Sequence, residues 1–139
     1  MIEINNLTKA KIPLEKIKKI TEKFLLKYKK TNFNISIAFI GDTKMRELNK
    51  IYRGFDKTTD ILSFEGEEDE EGDLGELIIS YQQIKRQAKQ FSDNIDEELV
   101  FILVHGLFHL LGYNDETEKE KSEMDDLVKE FVKQLKIKN

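Results

Sequence analysis

Between residues 33 and 39 every second position is apolar, with Phe33, Ile35, Ile37 and Phe39 separated by Asn34, Ser36 and Ala38. That period of two predicts a strand with one face against a core. Residues 60–64 and 76–80 read as two further strands, and residues 1–5 as a short fourth. Elsewhere the period is helical. Pro13 suits the first turn of a helix running to about Lys30, with Leu14, Ile17, Ile20, Phe24, Leu25 and Tyr28 as its inward stripe. Asp42 or Thr43 is placed to cap a short helix carrying Met45, Leu48 and Tyr52, which Gly54 ends. Tyr81, Ile84, Ala88 and Phe91 mark another helix. Residues 93–96 offer caps for the next, which runs to Leu111, and Met124, Leu127, Val128, Phe131 and Leu135 mark an amphipathic helix near the C-terminal end. Mixed strands and helices without repeats or long linkers predict an α+β fold, read as a single domain over residues 1–139.

The helix ending at Leu111 is apolar from Leu99 onward except for His105 and His109, the chain's two histidines. Four residues of helix amount to roughly 400° of rotation and about 6 Å of rise, so both imidazoles leave one face a turn apart. Two neighbouring buried imidazoles would each need a partner, and one divalent cation satisfies both. The competing reading is a pair of hydrogen-bonded core histidines. Gly112 suits the left-handed position that stops a helix, and the turn after it can bring Asp115 back beneath the rings. His105, His109 and Asp115 then make a three-ligand site, with Glu116 the alternative third ligand. Three protein ligands leave a position open, which favours chemistry over scaffolding. Zinc peptidases of the HExxH type have a glutamate after the first histidine, where this chain has Gly106, so that mechanism is disfavoured. A glycine within a helix costs about 1 kcal/mol relative to alanine and points to close approach of another backbone or of a substrate.

The run from His105 to Asp115 is similar to the signature HGxLHLxGYDH of the YbeY family, bacterial metal-dependent endoribonucleases that cut single-stranded RNA. Upstream, Leu48, Asn49, Tyr52, Arg53, Asp56, Thr59, Asp60, Leu62, Ser63 and Phe64 resemble the family segment LNxxYRxxDxxTDVLSFP, and Leu74, Gly75 and Glu76 its LGD. The chain departs from the pattern at the last ligand, where Asp115 replaces a histidine and Asn114 an aspartate. Carboxylate oxygen binds zinc at about 2.0–2.2 Å, so the exchange is chemically tolerable, while a harder, anionic ligand weakens acidification of bound water and shifts preference among divalent ions. The resemblance implies a small mixed sheet of about four strands with packed helices and the HxxxH motif on a central helix. It further implies one divalent ion, with zinc expected, single-stranded ribosomal RNA precursors as substrate, and the ribosome or its proteins as further partners. Implied functions are ribosomal RNA 3′-end maturation and ribosome quality control, with His105 and Arg53 as catalytic residues. A guanidinium can grip two phosphoryl oxygens as charge builds on them. Without the resemblance Arg53 would read as a surface ion pair, and Asp60 and Ser63, which the resemblance sets along the groove, as turn chemistry.

At 36% charged and 39% hydrophobic residues the composition suits a soluble globular protein, and the longest uncharged apolar stretch, residues 99–113, falls short of the roughly 20 needed to cross a bilayer. There is no cysteine, which excludes disulfides and thiolate metal ligands and fits the cytoplasm. The net charge of −4 is uneven: residues 9–30 hold nine lysines against Glu15 and Glu22, +7, leaving −11 for the rest. Such a face attracts phosphates, though lysines on the outside of an amphipathic helix explain it as well. Residues 65–73 carry seven acidic residues and two glycines, read as a solvated loop between two strands. Two rival functions share the motif. One is a metallohydrolase acting on a non-RNA substrate, with Glu76 or Glu116 as its base; the other is a non-catalytic ribosome-associated binding module with a structural metal.

Overall fold

The structure is a computed structural model that describes residues 1–67, 72–91 and 94–137. Strands β1 (Ile2–Asn6), β2 (Asn34–Ile40), β3 (Ile61–Glu65) and β4 (Asp73–Ser80) form one sheet in the order β1-β2-β4-β3. β1, β2 and β4 are parallel, and β3 runs antiparallel to β4 at the edge. The helices are α1 (Leu14–Lys27), α2 (Asp42–Arg53), α3 (Tyr81–Gln90), α4 (Ile95–Leu110) and α5 (Glu118–Ile137).

Alternation along the strands builds a core on each face. Ile35, Ile37 and Phe39 of β2 and Leu77 and Ile79 of β4 point into the larger core, where they meet Ile17, Ile20 and Phe24 of α1, Ile84 of α3, Leu103 and Leu107 of α4, and Val128 and Phe131 of α5. The opposite face is covered by α2, whose Met45 packs with Ile40 and Leu62. α4 is central: it touches β3, β4, α1, α3 and α5, which is why apolar residues occupy nearly every side of it.

The strands and helices fall where the residue pattern predicts, with differences at their ends. β4 begins at Asp73 rather than Glu76, because pairing with β3 carries the ladder through Gly75 to Glu65. α1 stops at Lys27, where Lys29 takes a left-handed φ of 58° and the Lys30 amide bonds back to the Leu25 carbonyl. Pro13 sits just before the first turn. Gly41 is the N-cap of α2, and neither Asp42 nor Thr43 caps it. The Asp42 carboxylate instead accepts both terminal nitrogens of Arg86 at 2.8 Å, joining α2 to α3. Tyr52 and Phe91, which continue helical stripes in sequence, are 62% and 64% exposed. Tyr52 lies against Phe64 of the edge strand β3, and Phe91 is already the C-cap of α3. Asn94 caps α4 through the amides of Asp96 and Glu97, whereas residue 93 and acidic residues 68–71 lie outside the described residues.

Candidate metal centre

α4 ends where the sequence places the stop: Leu111 closes the helix and Gly112 takes φ 98°. The chain reverses there, and Tyr113 bonds back through its amide to the Phe108 carbonyl. This turn carries Asp115 under the histidine face. Asp115 Oδ2 stands 3.2 Å from His105 Nε2 and 3.4 Å from His109 Nε2. One ligand atom from each of the three residues lies within 4.8 Å of the others. Nitrogen ligands about 2.0–2.1 Å from a tetrahedral ion stand roughly 3.3–3.4 Å apart, so the two histidine–carboxylate distances match a shared cation. Glu116 is not part of the cluster.

The orientation of the rings also fits an ion. His109 Nδ1 lies 3.0 Å from the Tyr113 carbonyl oxygen, an acceptor only, so that nitrogen carries the proton and Nε2 keeps its lone pair toward Asp115. The His105 ring lies edge-on to that of His109 at 4.9 Å between centroids. Burial pushes the Asp115 carboxyl up, but its hydrogen bonds and electrostatic interactions with His105 and His109 outweigh burial and hold it below the ordinary carboxylate range. A carboxylate that stays ionised beside two imidazole nitrogens is a donor set for a borderline divalent metal such as zinc.

Gly106 explains how α4 sits so close to the sheet. A Cβ there would stand 2.6 Å from Ile61 Cδ1 and 3.0 Å from Leu77 Cδ2, so the close approach is by sheet side chains rather than by another backbone or a substrate. It also leaves no carboxylate beside the first histidine.

The cluster opens onto a cleft of about 690 Å³ that runs along β3, the strand whose outer edge is unpaired. Ile61 and Ser63 face α4, while Phe64 faces α2 and meets Tyr52 edge-on at 5.1 Å. The metal donors and Arg53 therefore border the cleft from opposite faces of the sheet edge. Arg53 is exposed, leans over the Phe55 ring at 5.5 Å and makes no ion pair among the described residues. Asp60 and Ser63 line the cleft, and so does Glu116; Glu76 does not. None of the lysines between residues 9 and 30 lines it either, and those of α1 occupy its exposed side, as an amphipathic helix requires.

Two features escape a reading of the residues. The Tyr113 carbonyl that fixes His109 is backbone and carries no residue signal. Asn49, 1% exposed, holds the loop between α2 and β3 by donating from Nδ2 to the Lys57 carbonyl at 2.8 Å. In sequence it showed only as a match to the family segment and as a polar residue within the α2 stripe, with no sign of this bond.

Comparison with known proteins agrees with this geometry. A family model described as Endoribonuclease YbeY matches residues 3–136. The chain is similar to a protein of that name from Acholeplasma laidlawii, 36% identical over 105 residues covering 76% of this chain and 77% of the relative. It is likewise 39% identical over 109 residues to one from Bacillus cereus, covering 70% of each. A solution structure of a Thermotoga maritima protein shares the fold at a TM-score of 0.66 and 24% identity, covering 99% of this chain and 93% of that one. No helix among the described residues is long and apolar enough to cross a membrane. With the family model spanning nearly the whole chain and the paired histidines standing on its central helix, the chain belongs to the YbeY family.

Proposed function

We propose that this chain, as one catalytic domain, is a metal-dependent endoribonuclease that hydrolyses phosphodiester bonds of single-stranded ribosomal RNA precursors in the cytoplasm. Its family relatives carry the name endoribonuclease; the roles we propose for this chain are 3′-end maturation of ribosomal RNA and ribosome quality control. The observation that carries the reading is a three-donor cluster opening onto a cleft that also contains an arginine with no acidic partner among the described residues. Ribosomal proteins are the expected further partners.

His105, His109 and Asp115 hold the ion, for which zinc is the expected choice. When bound, a divalent cation there supplies Lewis acidity to a phosphoryl oxygen and lowers the pKa of water. His109 is locked by the Tyr113 carbonyl with Nε2 toward the cluster, so no tautomer change precedes binding. Arg53 grips the non-bridging oxygens of the scissile phosphate, where charge grows in the transition state. Its exposure leaves the guanidinium able to reach across the β3 edge.

The test is cleavage of single-stranded and duplex RNA with and without chelator, comparing the wild type with Asp115→Ala and Arg53→Ala. The expected result is chelator-sensitive cleavage of the single strand that both variants lose while staying folded. Chelator-insensitive cleavage, or none under any divalent metal, would overturn the proposal.

A further inference from the structure

We propose that Tyr52 is a base-stacking platform on the rim of the metal cleft, the group by which this site takes unpaired nucleotides in preference to a duplex. The inference rests on the nuclease reading above and names how its substrate is recognised.

Tyr52 sits one residue before the end of α2, and 62% of it is exposed. Helical spacing from Met45 and Leu48 would give it to the core, yet the ring stands at the cleft, against the edge strand β3. Phe64 of β3 meets it in a T-shaped contact, 5.1 Å between centroids at 69°. An edge-to-face contact of this kind fixes a ring through one side and leaves another face to solvent. An ordered, open aromatic face of this sort is what a nucleobase stacks on.

The next residue completes the match. A nucleotide presents a flat apolar base and, a few bonds away, an anionic phosphate; Tyr52 and Arg53 present a ring and a guanidinium, both lining the cleft that holds the metal donors. Tyr52 comes from the α2 side of the β3 edge and His105 from the α4 side, so a chain stacked on Tyr52 must cross that edge to reach the cluster. A single strand can bend over the edge with its bases splayed. In a duplex both faces of each base are covered by its neighbours, and Tyr52 has nothing to stack on.

The test uses the purified protein and a short 2′-O-methyl oligouridine with one 2-aminopurine, free or annealed to its complement. Stacking on tyrosine quenches the probe. Wild type and Tyr52→Phe are expected to quench the single strand and bind it alike, while Tyr52→Ala loses the quench and binds about tenfold more weakly. Duplex binding should be weak and equal in all three. Phe91→Ala, which removes an exposed aromatic outside the cleft, should behave as wild type. Retention of quench and affinity by Tyr52→Ala would overturn the proposal, as would an equal loss of duplex and single-strand binding. RNA cleavage measured alongside separates the two readings. Metal-dependent cleavage without stacking sinks the platform alone, and stacking without cleavage supports the platform while overturning the nuclease.

Discussion

Replacing Gly106 by alanine tests the contact that joins the metal helix to the sheet. In an exposed helix interior this change stabilises by about 1 kcal/mol through backbone entropy. Here the new methyl would enter 2.6 Å from Ile61 Cδ1, closer than carbon atoms tolerate, and 3.0 Å from Leu77 Cδ2, so the ends of both side chains must shift in a packed core. Overpacking of this kind costs about 1–3 kcal/mol, so the net effect is a loss of up to about 2 kcal/mol. Ile61→Val removes the nearer atom at a cost of about 0.5–1.5 kcal/mol by itself. In that background Gly106→Ala should cost about 1 kcal/mol less than in the wild type. Urea unfolding of the four proteins, without metal, gives the coupling directly. RNA cleavage should fall about tenfold or more in Gly106→Ala, because α4 moves relative to Arg53, while zinc affinity changes little. Additive free energies within about 0.3 kcal/mol, or a single variant more stable than wild type, would refute the argument.

The other expectations concern single side chains. Asp115→Asn should lower zinc affinity in calorimetry by about 100-fold or more, since an amide is a poor ligand, while Glu116→Gln should leave it unchanged. Ser80→Ala should cost about 1–2 kcal/mol in urea unfolding: the buried hydroxyl caps α3 by accepting the Gln83 amide and itself donates to Asp42. Hydrogen bonds from Arg86 outweigh burial and hold the Asp42 carboxyl below its ordinary range. A depressed folded pKa gives stability that is complete above the unfolded value of about 3.9 and disappears as pH falls through the folded value. Wild type should therefore exceed Asp42→Asn by no more than about 1 kcal/mol at pH 7, the pair being partly exposed, and the margin should close below about pH 4. Gly112→Ala meets no atom within 4 Å, so its cost is the left-handed backbone alone, about 1–2 kcal/mol; loss of zinc affinity should accompany it because the turn aims Asp115.

What could be read from the residues follows how local each signal is. β2 announces itself because its alternating residues are buried on one face, and α4 because it is packed on nearly every side but the histidine face. The ends of β4 and α1 were misplaced because a partner strand and a backward hydrogen bond set them, and neither is visible within the segment. Asp42 has the composition of a cap but serves Arg86, 44 residues away. The same distinction governs Tyr52, whose helical phase is correct and whose exposure depends on where the sheet ends.

The metal site divides along this line. All three donors lie within residues 105–115, one helix and its stop, so motif spacing brought them together and left only the choice between Asp115 and Glu116 to the structure. The Asp115 carboxylate lies within 3.4 Å of both imidazoles. The half proposed to face RNA is not local. Tyr52 and Arg53 ride on α2, against the other face of the sheet, and their relation to the donors passes through Phe64, Ile61 and the gap left by Gly106. Metal affinity and cleavage should consequently be separable: substitutions in the turn after α4 affect both, whereas substitutions at the helix–sheet contact leave the ion bound and move it away from the groups proposed to hold the substrate.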